Sequence, residues 1–329
     1  MTPGGSAGRK TLMELEFEKP LTEIEAQIAA LKQQATQEPD AAASLRIAEL
    51  DQQRNEMEKS LYANLTPWQT VQVARHPNRP HLDDYLGGVF SEHIELHGDR
   101  SFGDDPAITG GFALIDKYRV MTIGHQKGKS VDENIKARFG MGNPEGYRKA
   151  LRLMKLAEKY AIPVICFVDT PGAYPGLEAE ARGQAEAIAR NLTVMARLQT
   201  PIIVVVTGEG GSGGALGIAV GDVILMLSNS VYSVISPEGC ASILWRDGAK
   251  APDAAEALKL TAKSLLDLKV IDGIIQEPPG GAHRHPAAAI AAVKEAILRH
   301  LKPLRKISPN KLVKRRYDKF VAMGRFGKR

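Results

Sequence analysis

The amino-acid sequence predicts an α/β fold layered around one sheet core and preceded by a helical hairpin. Three observations carry that reading. Apolar runs of strand length alternate with stretches of helical periodicity along most of the chain, which is the pattern of βα layering. Gly- and Pro-rich loops punctuate the ends of those runs. With 329 residues, 43% of them hydrophobic and 5% aromatic, the chain has ample apolar surface for a core and is not a disordered polypeptide. That length suits two domains of about 150 residues, or one domain with appendages.

In chain order, Leu21, Ile24, Ile28 and Leu31 fall at helical spacing, Pro39-Asp40 breaks the pattern, and Leu45, Leu50, Met57 and Leu61 resume it more loosely. Residues 1–65 are therefore expected to form a helical arm. Its narrow apolar face between Glu-, Gln- and Lys-rich flanks suits a hairpin packed on a neighbouring domain or chain. Pro77-Asn78-Arg79-Pro80 punctuates the start of the next segment, a central domain expected over residues 66–301. Residues 107–115 and 118–124 flank Asp116-Lys117 and predict an antiparallel strand pair. Tyr147, Leu151 and Met154 mark a helix, residues 163–169 a buried strand, and Ala181, Ala185, Ile188, Leu192, Met195 and Leu198 a second helix. Strands are expected at 201–207, 222–227 and 231–236, and helices near 251–259 and 286–302.

The 43 Lys+Arg against 38 Asp+Glu give a formal charge of +5, but residues 302–329 hold 11 basic residues and one acid, Asp318, so the remainder sums to −5. Such a tail can hold nucleic acid, anionic lipid or an acidic partner; a terminal arm docked on its own domain or subunit is the expectation, with nucleic acid not the expected partner. Cys166 and Cys240 are too few for a disulfide framework or a four-thiolate zinc site, which suits a reducing cytosol. Residues 1–10 are small and polar, and apolar stretches such as 201–206 fall far short of the roughly 20 residues of a membrane span. A soluble, unexported chain is expected.

The most informative stretch is Gly208-Glu209-Gly210-Gly211-Ser212-Gly213-Gly214-Ala215, between the strand at 201–207 and an apolar helix. It satisfies three motifs or their parts. Gly208, Gly210 and Gly213 match G-x-G-x-x-G, but the acid that a dinucleotide site carries about 20 residues on is missing. Gly210 to Gly214 match G-x-S-x-G, with Asp272 and His283 following in hydrolase order, yet four residues separate Ser212 from the expected strand end. A Walker loop fails because no lysine follows. An oxyanion hole of main-chain N–H groups at Gly213 and Gly214 needs no side-chain nucleophile and suits enolate or ureido-oxygen stabilisation. A turn whose glycines serve packing alone is the plain alternative.

Asp169-Thr170-Pro171-Gly172-Ala173-Tyr174-Pro175-Gly176 forms a second Gly/Pro loop, and if its strand neighbours that of the first, both line one groove. Gly210, Gly211, Ser212, Ala173 and Tyr174 are then candidate groove residues. His125 and Lys127 sit at another strand end, and Arg148 and Arg152 one turn apart on a helix; such cations can hold phosphates, while pairing with acids is the commoner use. His125 is a candidate general base.

The strings Gly124 to Gly128, Pro144 to Met154, Asp169 to Gly176, Gly208 to Ala215 and Ser236 to Trp245, in that order, resemble the alpha subunits of bacterial-type acetyl-coenzyme A carboxylase carboxyltransferases. The resemblance runs from about residue 15 to about residue 317. Ala181 stands where that family commonly carries a second Glu. The resemblance implies a crotonase-like fold of repeated ββα units and a site shared with a zinc-ribbon beta subunit in an α2β2 assembly. It also implies carboxyl transfer from carboxybiotin, held on a biotin carboxyl carrier protein, to acetyl-CoA, giving malonyl-CoA for fatty-acid synthesis. In that chemistry carboxybiotin releases CO2, the ureido anion takes a proton from the acetyl methyl, and the enolate attacks CO2. Gly213 and Gly214 match the family's oxyanion glycines, and this subunit is expected to serve the biotin side. The chain has no Met-Lys-Met, no C-x2-C pair and no ATP-binding glycine loop, as expected if biotin, zinc and ATP belong to other components, ATP being used by biotin carboxylase. Another crotonase-fold acyl-CoA reaction, a decarboxylase or thioesterase, is the alternative, followed by an interaction protein.

Overall fold

A computed structural model describes residues 15–37 and 41–324, so the Pro39-Asp40 break, residues 1–10, Arg325, Lys328 and Arg329 lie outside the described residues. The chain divides into two compact units, Met1–Asn64 and Leu65–Arg329. In the first, α1 (Lys19–Gln37) packs against α2 (Ala41–Ala63). The Tyr62 hydroxyl donates to Glu18 Oε1 at 2.6 Å across that hairpin.

The second unit opens with α3 (Pro67–Ala74), started by Thr66 in a capping box with Gln69, and α4 (Leu82–Val89). An antiparallel meander follows: β1 (Glu92–Glu95), β2 (Ile108–Ile115) and β3 (Tyr118–His125), the last two being the predicted pair. Then come α5 (Val131–Lys136), α6 (Pro144–Lys159) and β4 (Val164–Thr170). The helix predicted around Ala181–Leu198 is broken in two, α7 (Leu177–Ala181) and α8 (Gln184–Arg197), because Gly183 takes φ +83° between them. Next are β5 (Ile202–Gly211), α9 (Ser212–Leu216), β6 (Val223–Leu227) and β7 (Val231–Ser233). The unit ends with α10 (Pro237–Trp245), α11 (Ala251–Leu258), α12 (Ala262–Asp267), β8 (Gly273–Ile275), α13 (Gly281–Arg284), α14 (Pro286–Leu304) and α15 (Pro309–Val321).

The sheet order is β1-β2-β3-β4-β5-β6-β8, parallel from β3 onward, and β7 pairs with the far end of β5. Every residue of β4 and β5 is buried, which is why these strands read as unbroken apolar runs rather than as alternation. Side chains nevertheless alternate between two cores. Cys166, Val168, Val204 and Val206 pack with α6, α8 and α9 on one face, and Ile165, Phe167, Ile203 and Val205 with α4 and α14 on the other.

The basic terminal segment is built into this unit. α14 crosses residue 302, and on α15 the Arg316 guanidinium is fully buried, bidentate on Asp222 at 2.9 and 2.7 Å. It also donates to the carbonyls of Met195, Leu198 and Thr200. All five of its N–H groups are directed at acceptors, so the charge tolerates burial.

Candidate active site at a glycine turn

The site grows from the carboxyl ends of β4 and β5, adjacent parallel strands. Their register slips between Val168 and Thr170, and the Asp169 carboxylate fills the irregularity by accepting the Glu209 N–H at 3.0 Å. Lys127, just beyond β3, donates to the same carboxylate at 2.6 Å. Burial pushes the Asp169 carboxyl up, but the Lys127 ammonium and the Glu209 N–H hold it below its usual range. Glu209 in turn accepts from Arg75, which bridges to Glu238 and ties the end of β5 to α10.

β5 does not stop at Thr207 as expected. It continues to Gly211 because its last three residues gain a second partner, β7. Ser212 therefore follows the strand directly, at φ +51°, and opens α9. Packing explains four of the five glycines here. A Cβ at Gly208 would lie 2.5 Å from Asp169 Oδ1, and one at Gly210 2.8 Å from the Tyr232 ring. At Gly211 it would overlap the Pro171 carbonyl, and at Gly214 the Gly172–Ala173 peptide. At Gly213 it would meet only Ile188, at 3.8 Å. Gly213 is thus not demanded by its neighbours, and the space above it stays open.

Gly213 also lines a cavity of about 410 Å³, together with Ser212, Leu216, Tyr232, Val234 and Phe320 among others, with no charged side chain in its lining. The N–H groups of a first helical turn lack intrahelical partners, so Gly213 and Gly214 can offer theirs to an anion. The turn is braced from behind: the Tyr147 hydroxyl donates to the Gly214 carbonyl at 3.2 Å, and Asn191 Nδ2 donates to the Tyr147 and Gly217 carbonyls. Burial pushes the Tyr147 phenol above its usual range, keeping it a donor.

The structure brings Gly210, Gly211, Ser212, Gly213, Gly214 and Ala173 together, with the Ala173 backbone lying under Gly214. Tyr174 continues that loop, its N–H on the Gly142 carbonyl and the Arg138 guanidinium over its ring at 5.4 Å. Lys127 is held on Asp169. Arg148 is not part of the cavity lining: its donors meet Asp99 Oδ2 at 2.8 Å and the Arg182 carbonyl. Arg152 likewise donates to the His97 and Gly98 carbonyls. Each arginine uses two of its five N–H groups in these contacts.

The spacing objection to a nucleophilic Ser212 falls with the longer β5, yet the other triad members are occupied elsewhere. Asp272 accepts from Lys319 and the Ile224 N–H, and the His283 ring lies against that of His76, with centroids 4.3 Å apart and planes tilted by 37°. His125 is 1% exposed with neither ring nitrogen hydrogen-bonded, and burial pushes it down to about 4, so it is neutral near pH 7. Sequence reasoning missed Tyr147 and Asn191 as braces and α15 as a cavity wall. Tyr147 reads in sequence as one more apolar helix position, which is what hid it.

Residues 14–324 match a family model described as acetyl co-enzyme A carboxylase carboxyltransferase-like. The chain is 57% identical over 313 residues to the acetyl-coenzyme A carboxylase carboxyl transferase subunit alpha of Geobacter metallireducens, covering 95% of this chain and 98% of that protein. It is 54% identical over 315 residues to the protein of the same name from Thermus thermophilus, covering 95% and 99%. The beta subunit of Pseudomonas aeruginosa geranyl-CoA carboxylase shares the fold, with a TM-score of 0.54 at 16% identity over 74% of this chain and 46% of that one.

Proposed function

The chain belongs to the acetyl co-enzyme A carboxylase carboxyltransferase-like family, and we propose that the turn at Gly213 and Gly214 is where it handles the transferred carboxyl group. It is an alpha-type, crotonase-like subunit of a biotin-dependent carboxyltransferase, an enzyme that moves carboxyl from carboxybiotin to acetyl-CoA to form malonyl-CoA for fatty-acid synthesis. It works in a complex with other subunits.

The observation that supports this site is the open face at Gly213 amid four glycines that packing requires. In the proposed mechanism the Gly213 and Gly214 N–H groups donate to the oxygen on which negative charge develops. The cavity lining is mainly apolar, so the two fixed dipoles act at a lower dielectric than in bulk water and without reorganisation. Gly210, Gly211, Ser212 and Ala173 form the floor of the groove, with Tyr174 and Lys127 at its edge. Lys127 acts through Asp169, the carboxylate that holds the Glu209 N–H at the end of β5. The biotin carrier approaches this subunit, while a zinc-ribbon beta subunit completes the CoA side in an α2β2 assembly. Biotin carboxylase supplies the carboxybiotin at the expense of ATP. This takes place in the cytoplasm; among the described residues no helix is long and apolar enough to cross a membrane.

The test is carboxyl transfer from malonyl-CoA to biocytin with this chain alone, with a beta-type partner alone, and with both. Activity in the mixture only is the expected result. A folded, assembled pair without activity overturns the reading and favours another acyl-CoA reaction.

A further inference from the structure

We propose that α15, the helix in the basic terminal segment, is a wall of the reaction cavity and that Phe320 and Met323 set the size of the biotinyl group it admits. This rests on the reading that the cavity beside Gly213 is the transfer site. Phe320 on α15 and Met323 just beyond its end line that cavity with Ser212 and Gly213 of the glycine turn and with Leu265 and Val270 of the α12 region. Their position is fixed by an unusually firm anchor. Arg316 lies four residues before Phe320, hence on the same helix face, and is buried with all its donors engaged. One turn on, Lys319 donates to Asp272 at 2.9 Å and to the Asp222 carbonyl at 3.0 Å. Asp222 immediately precedes β6 and Asp272 immediately precedes β8, so the wall is referenced directly to the sheet that carries the turn.

The occupant follows from the lining. A cavity of about 410 Å³ without one charged side chain has nothing to pair with a nucleotide phosphate, and it far exceeds what a two-carbon acetyl group fills. It suits a compact bicycle with one apolar thioether ring and one ureido ring, whose carbonyl oxygen turns to the Gly213 N–H and whose N–H has the Ser212 and Ser233 hydroxyls of the lining as acceptors, which is the chemistry of biotin. The basic residues of α15 other than Arg316 and Lys319, such as Lys311, Lys314 and Arg315, are exposed and take no part.

The experiment compares Phe320→Trp, Met323→Ala and Gly213→Val in the assembled complex with the beta-type partner, measuring KM for biocytin and for malonyl-CoA separately. Sedimentation and thermal unfolding report assembly and fold. Phe320→Trp is expected to raise KM for biocytin by about tenfold or more, the usual effect of a carbon or two in an apolar pocket, with KM for malonyl-CoA unchanged. Met323→Ala should shift the same constant in an intact assembly, and decides the matter if the tryptophan variant fails to assemble. An unchanged KM for biocytin overturns the proposal, as does a rise confined to malonyl-CoA. Loss of turnover in Gly213→Val alongside unaltered Phe320→Trp kinetics leaves the function standing and removes α15 from it. Wild-type turnover in Gly213→Val removes both.

Discussion

Helix α6 faces two regions that are built in opposite ways. Toward the glycine turn it presents Tyr147, whose hydroxyl braces a main-chain carbonyl beside an uncharged cavity. Toward the loop at residues 97–105 it presents Arg148, Lys149 and Arg152, all of them bonded to that loop. Asp99 alone accepts from Arg148 and from the N–H groups of Ser101, Phe102 and Gly103, while Asp104 accepts from Lys149, His97 and the Gly98 N–H. The difference teaches that ionised groups here hold the scaffold together, whereas the candidate chemistry rests on peptide dipoles. A charged cluster bonded to its own loop is held in place by that loop, whereas a glycine turn with open space above it keeps main-chain N–H groups to offer.

The largest effect that separates the two regions is expected at Gly213. Gly213→Val should lower transfer by roughly 100- to 1000-fold, the usual cost of losing an oxyanion donor, because its side chain blocks access to the retained N–H, with thermal stability near wild type because its Cβ meets only Ile188, at 3.8 Å. Gly214→Ala, one residue on, should instead lose stability, since its Cβ overlaps the Gly172–Ala173 peptide. Equal stability of the two variants would break the distinction between an open and a packed glycine.

The acidic loop should answer the other way. Asp99→Ala removes four hydrogen bonds at a carboxylate with no exposed side-chain surface, and about 2–4 kcal/mol of unfolding free energy should go with them. Chemical denaturation measures that, while KM for malonyl-CoA and biocytin should hold in whatever fraction stays folded. A raised KM for malonyl-CoA at full stability would return Arg148 to the substrate.

The smallest effect concerns His125, at the end of β3, a buried histidine that belongs to neither pattern. Its folded value of about 4 lies below the ordinary histidine range, so between about pH 4 and 6.5 the unfolded chain binds the extra proton. Stability contributed by neutral His125 is therefore present above pH 6.5 and is lost as pH falls through that window. Relative to His125→Phe, the wild type should lose about 1 kcal/mol between pH 7 and 5.5. Parallel stability profiles for the two proteins would mean that His125 gains a partner on protonation.

Local pattern carried much of the architecture. The hairpin at Asp116-Lys117, the apolar runs of β4 and β5, and the helices around Tyr147 and at 286–302 all follow from spacing, because periodicity and turn chemistry are properties of neighbours in the chain. Elements with weak signals were not legible: α3, α4, β1, α10 and β8 are three to nine residues long, too short for periodicity to show, even where a local cap such as Thr66 or Ser236 starts them. The glycine string itself announced a site, and the family resemblance named its chemistry.

What the sequence by itself determined is therefore the alternation of strand and helix and the one place where backbone is laid bare. Only the tertiary structure decided that β5 runs on to Gly211, that Gly213 is the open glycine of its turn, that Arg148 faces Asp99, and that α15 lines the cavity. The reason is physical. Strand ends, cavity walls and ion-pair partners are fixed by contacts between residues as far apart in the chain as Ser212 and Phe320, or Asp222 and Arg316, and no local spacing encodes such a pair.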